Sequence, residues 1–473
     1  MSREANKQRL KQNVISRNDV MGEGKRHPSL LVYVITAFSI AAFIYGAYYY
    51  TTCTMRSDYS VSWQVNDKTE DGEIETFRGF REFAGGIIKY TKDGAEYVDK
   101  KGSVVWERSY QLNAPIIDTG DEYAVIADQG ATSIYIFNNS EVTGVSETIL
   151  PISLVKISDT GIVYAVLNDS DAEYITAFRP DGSAIDLSVK SIVNGDGYPF
   201  DIDTSPDGTE LITSYAGIEG GKIANSVVFR NFGSVGQNAD ARRVVGGFKD
   251  EFAGHMTGRV HFSTNEYSQA FYDGGIVFFS TKVLNSPEVL KNVVFDRKML
   301  AIAYNDKMTA VLLDNGQPVS DGNAEDKASE NDNASGSSMS SKEGTDKENK
   351  KAKNKEAGNK EDKKTKNEKK EAASDKKEIS TEDKSQAPYT LIILDNAGNQ
   401  TGSADIDISY KDICISKNTV IVYGSKDIRA YSAKGTLRGD LSFEDGEISK
   451  ITGSDKDGMF YAVTSNAIMQ IRY

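Results

Sequence analysis

The residues that could do chemistry in this chain are few. Of three histidines, His27 lies beside an apolar run, and His255 and His261 lie close together in "GHMTGRVHFST" with Arg259 between them. A zinc site needs three or four convergent ligands, and a histidine pair with no cysteine nearby falls short of that. Of two cysteines, Cys53 and Cys414 are far apart in sequence, too few for a disulfide framework or a thiolate metal site. Aspartates end many apolar runs, as in "NDSD", "SPDG", "LDNAG" and "SDKDG". Calcium is bound by such oxygen ligands, but no run completes the twelve-residue loop that closes on glutamate. Asp, Asn and Gly are also what tight turns require, and hairpin turns are the reading adopted. No nucleophile elbow, Walker loop or dinucleotide fingerprint stands in a strand-to-helix context. A carboxylate pair for glycoside hydrolysis stays open, because acids are abundant and their separation is unknown. The expectation is that no metal and no cofactor is bound, with His255 and Arg259 as the candidate ligand-facing pair.

Those residues must be positioned by strands. Beyond residue 58 the chain consists of short alternating runs rich in Val, Ile, Tyr and Phe, each ended by Gly, Asp or Asn, which is a strand and hairpin pattern. The runs recur in units of about 40 residues, the period of a four-stranded propeller blade. The first unit reads "FREFAGG", "IIKYTKDG", "AEYVDKKG", "VVWERSY", and six more follow in the same order. In the second unit the outermost strand is expected at "SETIL". An eighth supplies only three strands before Tyr473, and "YSVSWQV", Tyr59 to Val65, is an unassigned strand that could complete it and close the ring without a free edge. The fold expected is all-β, an eight-bladed β-propeller over 59–473, with seven blades as the alternative. His255 and Arg259 then fall in a connection between blades, near the axial funnel.

Two segments interrupt or precede the repeat. Residues 319–387 are Lys, Glu, Asp, Ser, Asn, Gly and Ala with almost no apolar side chain, too little to offset chain entropy, so a disordered insertion within the sixth blade is expected. "SLLVYVITAFSIAAFIYGAYYY", 29–50, carries no charge and is long enough to cross a hydrocarbon core of about 30 Å. Arg3, Lys7, Arg9, Lys11, Arg17, Lys25 and Arg26 precede it and few cations follow, which by the positive-inside rule leaves residues 1–28 as a cytoplasmic basic tail. A cleaved signal peptide would have a shorter apolar run and small residues at the cut, whereas Tyr48, Tyr49 and Tyr50 stand there. A single-pass cell-membrane protein with its propeller outside is therefore expected. The net charge of −14 argues against a nucleic-acid partner.

Asp99, Gly102 and Trp106 in "VDKKGSVVWE" resemble the repeat of quinoprotein-like propellers, whose tryptophan docks each blade against the next. With one basic tail, one span and an extracytoplasmic propeller, the chain also resembles uncharacterised membrane-anchored proteins of Gram-positive bacteria that carry a domain of unknown function. The resemblance implies structural roles for Asp99, Gly102, Trp106 and Trp63. The quinone enzymes of that family hold their cofactor with an adjacent cysteine pair, a tryptophan floor and a calcium ion. This chain has no adjacent cysteines, and its two tryptophans fall on expected outer strands. A non-catalytic binding or scaffold module at the cell envelope is expected, with the lipid bilayer met through the anchor and an envelope protein or wall polymer as partner. The alternatives are a quinone-dependent dehydrogenase, a polysaccharide-active enzyme, and a transmembrane sensor.

Overall fold

The computed structural model describes residues 30–53, 55–66, 79–237, 242–317 and 387–473. The basic tail, 1–28, and the charged insertion, apart from Ala387, lie outside the described residues. The chain divides into two compact units, one up to Arg56 and one from Ser57 to Tyr473. In the first, Leu30–Cys53 form a helix, α1, of 24 residues, with exposed side chains over 33–46. Among the described residues no helix is long and apolar enough to cross a membrane.

The second unit is an eight-bladed β-propeller. Among the described residues it holds eight four-stranded antiparallel sheets and one two-stranded hairpin. Seven sheets are consecutive meanders, with strands A to D in chain order; in the fourth, the hairpin Ile218–Glu219 and Lys222–Ile223 is inserted between B and C. The innermost A strands are Gly79–Phe83, Pro115–Thr119, Ile152–Ile157, Tyr198–Thr204, Thr257–Thr264, Met299–Tyr304, Asp412–Ser416 and Lys450–Thr452. The middle strands are buried on both faces and so read as continuous apolar runs, such as Met308–Asp314 and Thr419–Tyr423. In a four-stranded meander the D–A and B–C connections share one face of the ring, and the A–B and C–D turns share the other.

The eighth sheet is completed from the other end of the unit. Ser60–Asn66 pairs antiparallel with Ala467–Arg472, with Trp63 opposite Gln470 and a register shift between Val61 and Trp63. Strand D of the last blade thus precedes the first blade in sequence, and no sheet edge is left open at the seam. A buried cluster of Phe80, Ile87, Val98, Tyr461, Val463 and Ile468, with Trp63 and Val65 packed on it, joins the first blade to the last. One boundary differs from expectation: the outer strand of the second blade is Val142–Glu147, not "SETIL". Val142 pairs with Phe137 across a tight turn, and a bulge between Ile136 and Phe137 places Gly144 where the next blade approaches.

"VDKKGSVVWE" is the C–D turn and strand D of the first blade. Asp99 Oδ1 accepts hydrogen bonds from the backbone N–H of Lys101 at 2.8 Å and Ser103 at 2.9 Å, and these hold its carboxyl below the usual carboxylate range. Gly102 has φ 81°, and a Cβ there would lie 2.8 Å from the Trp63 ring. The Trp63 Nε1 donates to the Lys100 carbonyl at 3.1 Å. The same arrangement recurs one blade on: Trp106 stacks on Phe137 at 4.7 Å and 12°, and its Nε1 donates to the Asn138 carbonyl at 3.1 Å. Asn138 makes an Asx turn as Asp99 does, accepting from the N–H groups of Ser140 and Glu141. Elsewhere a glycine takes the tryptophan's place, letting backbones meet: Gly144 against Gly182, and Gly402 against Gly435. Trp106 is half-buried, so Trp106→Ala is expected to cost about 2 kcal/mol, roughly half the ~3–5 of a fully buried ring. Thermal unfolding of the variant checks this.

Candidate functional site

The axis of the ring is lined by charge. Arg81 lies 3.8 Å from Asp118, Lys156 lies 3.6 Å from Asp118 and 3.7 Å from Asp203, and His261 Nδ1 lies 2.8 Å from Asp203. The His261 ring then stacks on Tyr304 at 4.2 Å. These residues come from the A strands of six successive blades, so one polar arc links blade 1 to blade 6. The aspartates also clasp backbone. Asp118 accepts from the Ile157 N–H at 3.0 Å, Asp201 from Val260 at 3.0 Å, and Asp203 from Phe262 at 2.9 Å, each on the following blade.

Burial opposes the charge on Lys156, yet the carboxylates of Asp118, Asp203 and Asp201 outweigh it and raise its pKa. Asp203 is likewise penalised by burial, but Lys156 and His261 hold its carboxyl below the usual range. Asp201, with no such direct pair, is pushed up to about 6, chiefly by burial. Burial also pushes Glu82 to about 7, helped by Asp455 and Asp121.

The A strands of neighbouring blades pack on one another from blade 1 to blade 5 and from blade 6 to blade 8. Between blades 5 and 6 they are joined at one end by His261 on Tyr304, and at the other a cleft of about 560 Å³ opens. Phe200, Met256, Arg259, Phe271, Met299 and Ile302 form much of its wall. Phe200, Met256, Arg259 and Met299 stand at or near the starts of A strands and Phe271 near the end of strand B in blade 5, so the cleft opens on the face of the D–A and B–C connections. The chain enters the ring at Ser60, opposite Arg472 at the end of a C strand, hence on the other face.

Of the two residues expected to face a ligand, Arg259 lines the cleft and is exposed. His255 stands beside it: its Nδ1 lies 2.6 Å from Asp273, itself a wall residue, and its ring packs on Tyr272 at 5.0 Å. His261 is part of the axial arc. Among the described residues no group of three or more His, Cys, Asp or Glu could hold a metal ion, and neither tryptophan lies on an A strand. Lys156, Asp118, Asp203 and Tyr304 were not singled out from the sequence. A signal was there: Lys156, Asp203, His261 and Cys414 each stand two residues before a serine at, near or just past the end of their A strand, with an apolar residue or threonine between.

The family of unknown function DUF5711 matches residues 54–325 and 345–473, most of the chain. The chain belongs to that family. No curated protein matches the sequence. Solved structures similar to this DUF5711 chain include BamB from Moraxella catarrhalis, at 9% identity and a TM-score of 0.46, covering 88% of this chain and 100% of that one. Sqt1 from Saccharomyces cerevisiae is similar at 8% identity and a TM-score of 0.49, over 88% and 99% of the two chains. AztD from Citrobacter koseri, in its apo form, is similar at 8% and 0.44, over 81% and 86%.

Away from the axis the DUF5711 propeller buries two further carboxylates with unpartnered oxygens, Glu210 and Glu173. Burial pushes Glu210 up to about 8 and Glu173 to about 7. Because the folded state holds these protons and the unfolded chain releases them near pH 4.5, their contribution is full below that pH and is lost as pH rises through 7 to 8. The protein is expected to melt at a higher temperature at pH 5.5 than at pH 8.5. Glu210→Gln should remove part of that slope, gaining about 1–3 kcal/mol at pH 8.5 and little at pH 5.5. Melting curves at the two pH values check both statements.

Proposed function

We propose that this protein is a membrane-anchored, extracytoplasmic binding or scaffold module whose ligand face is the face of the D–A and B–C connections. The observation that carries the reading is the cleft at blades 5 and 6. It is a preformed, largely apolar concavity on a rigid ring, with an exposed guanidinium at its edge and exposed apolar side chains around it. Phe200 is 49% exposed, Met256 44% and Ile218, on the neighbouring hairpin, 81%. Of the two carboxylates on the cleft's wall, Asp273 and Asp412, the first is engaged by His255.

The anchor is proposed from the charge-free run 29–50 and the cations before it, with residues 1–28 in the cytoplasm and the ring outside. The partner proposed is another envelope protein or a wall polymer. Two measurements test the proposal. The full chain should stay with membranes through an alkaline carbonate wash while its ring is digested by protease added to intact cells; release by the wash, or protection from the protease, contradicts it. A photo-reactive amino acid at Phe200 should yield a crosslinked adduct in intact cells and one at Lys434, on the opposite face, should not.

A further inference from the structure

Strand A of blade 6, Met299–Tyr304, differs from the other inner strands. Its sequence, "MLAIAY", is apolar but for the terminal hydroxyl, yet every one of its residues is partly exposed. The corresponding strand of blade 3, Ile152–Ile157, buries four of its six residues. Met299–Tyr304 is the innermost strand of its sheet and pairs only with Met308–Asp314, so its inner edge is unpaired, as every A strand's is. Here that edge belongs to an apolar strand that lines the cleft along most of its length, which leaves its backbone groups open to an added strand.

Three further observations say what would cover it. Arg259, on the facing wall, is exposed and makes no ion pair among the described residues, so a carboxylate can reach it. Thr257, also on that wall, is 2% exposed and its hydroxyl has no hydrogen-bond partner. Phe200 and Met256, 49% and 44% exposed, supply apolar contact on the same side.

Resting on the reading of this face as the binding face, the geometry points to an extended peptide as the ligand, one that carries apolar side chains and an acidic residue. Its backbone pairs with the free edge of Met299–Tyr304 as an added strand. Alternate apolar side chains meet Phe200 and Met256, and its carboxylate meets Arg259.

The test is panning a random library of about twelve-residue peptides displayed on phage against the full chain in detergent, followed by fluorescence anisotropy with the enriched peptides. Peptides that place Asp or Glu within a few residues of aromatic or branched aliphatic side chains should be enriched. Arg259→Glu, a surface change, should weaken them by about tenfold or more, the scale of a lost charge-assisted contact. Replacing the acidic residue by Lys should weaken binding to the wild type and restore it to Arg259→Glu. No enrichment, enrichment of basic peptides, or binding indifferent to Arg259→Glu overturns the inference. Those outcomes leave the binding face itself to be judged by crosslinking from Phe200, which reports any partner, peptide or not.

Discussion

Replacing Lys156 with methionine is expected to cost about 3–5 kcal/mol, because it leaves two nearly buried carboxylates without their shared cation. Asp118 and Asp203 are 12% and 10% exposed at the side chain, and each also clasps the backbone of the following blade. The loss should fall on blades 2, 3 and 4 together. The sign with pH is fixed by the carboxylates. In the wild type, Lys156 and His261 depress the Asp203 pKa, so that stability is present above the ordinary carboxylate range and fades as pH falls through it. In Lys156→Met the Asp203 carboxyl is more readily protonated, so the gap between variant and wild type should be widest at neutral pH and narrow towards pH 4. Denaturant melts at pH 7 and pH 4 check this. The pair Lys156→Met and Asp203→Asn should recover part of the loss, since one unpaired charge is removed. A loss below about 1 kcal/mol, as for an exposed pair, would contradict the account of the arc.

Deleting Ser60–Asn66 is expected to have the larger effect. It removes strand D of the last blade and leaves Ala467–Arg472, buried at five of its six positions, as an open apolar edge. It also strips Trp63 and Val65 from the cluster between first and last blades. The variant should lose cooperative unfolding and associate in solution, visible in melting curves and size-exclusion chromatography. Trp63→Ala is the milder form. The ring is half-buried, lies 5.8 Å from Tyr461 and is held by the Lys100 carbonyl, so a cost of about 2–3 kcal/mol is expected. Gly102→Ala should be costly at the same seam, since a Cβ there meets the Trp63 ring and the backbone is left-handed. Unchanged melting in the deletion variant would mean that the ring closes some other way.

Much of this architecture was legible because blades obey period-two alternation and turn chemistry. "IIKYTKDG" and "AEYVDKKG" are strands for reasons contained within their own eight residues. The closing strand was legible from a count, three strands at the end and one spare near the start. "SETIL" was misplaced because Gly144 reads as a turn residue, whereas in the fold it is the point where the next blade's backbone approaches. The site was less legible. Arg259 and His255 were both expected in a blade connection; His255 is there, whereas Arg259 stands on strand A of blade 5, because the strand begins at Thr257, and it lines the cleft. Lys156 and Asp203 did not stand out, since a single lysine or aspartate within a strand looks like the solvated half of an alternating pattern. Only the convergence of A strands on one axis turns that solvated half into a buried network. The exposure of "MLAIAY" was invisible for the converse reason: it depends on which A strand the cleft opens against.

The central claim is that the D–A and B–C face of the ring, at blades 5 and 6, is where a partner binds. Photo-crosslinking in intact cells, with the reactive residue placed in turn at Phe200, Met256 and Lys434, tests it most directly. The account predicts one common adduct from Phe200 and Met256 that is absent from Lys434. An adduct from Lys434 with none from the other two positions would contradict it.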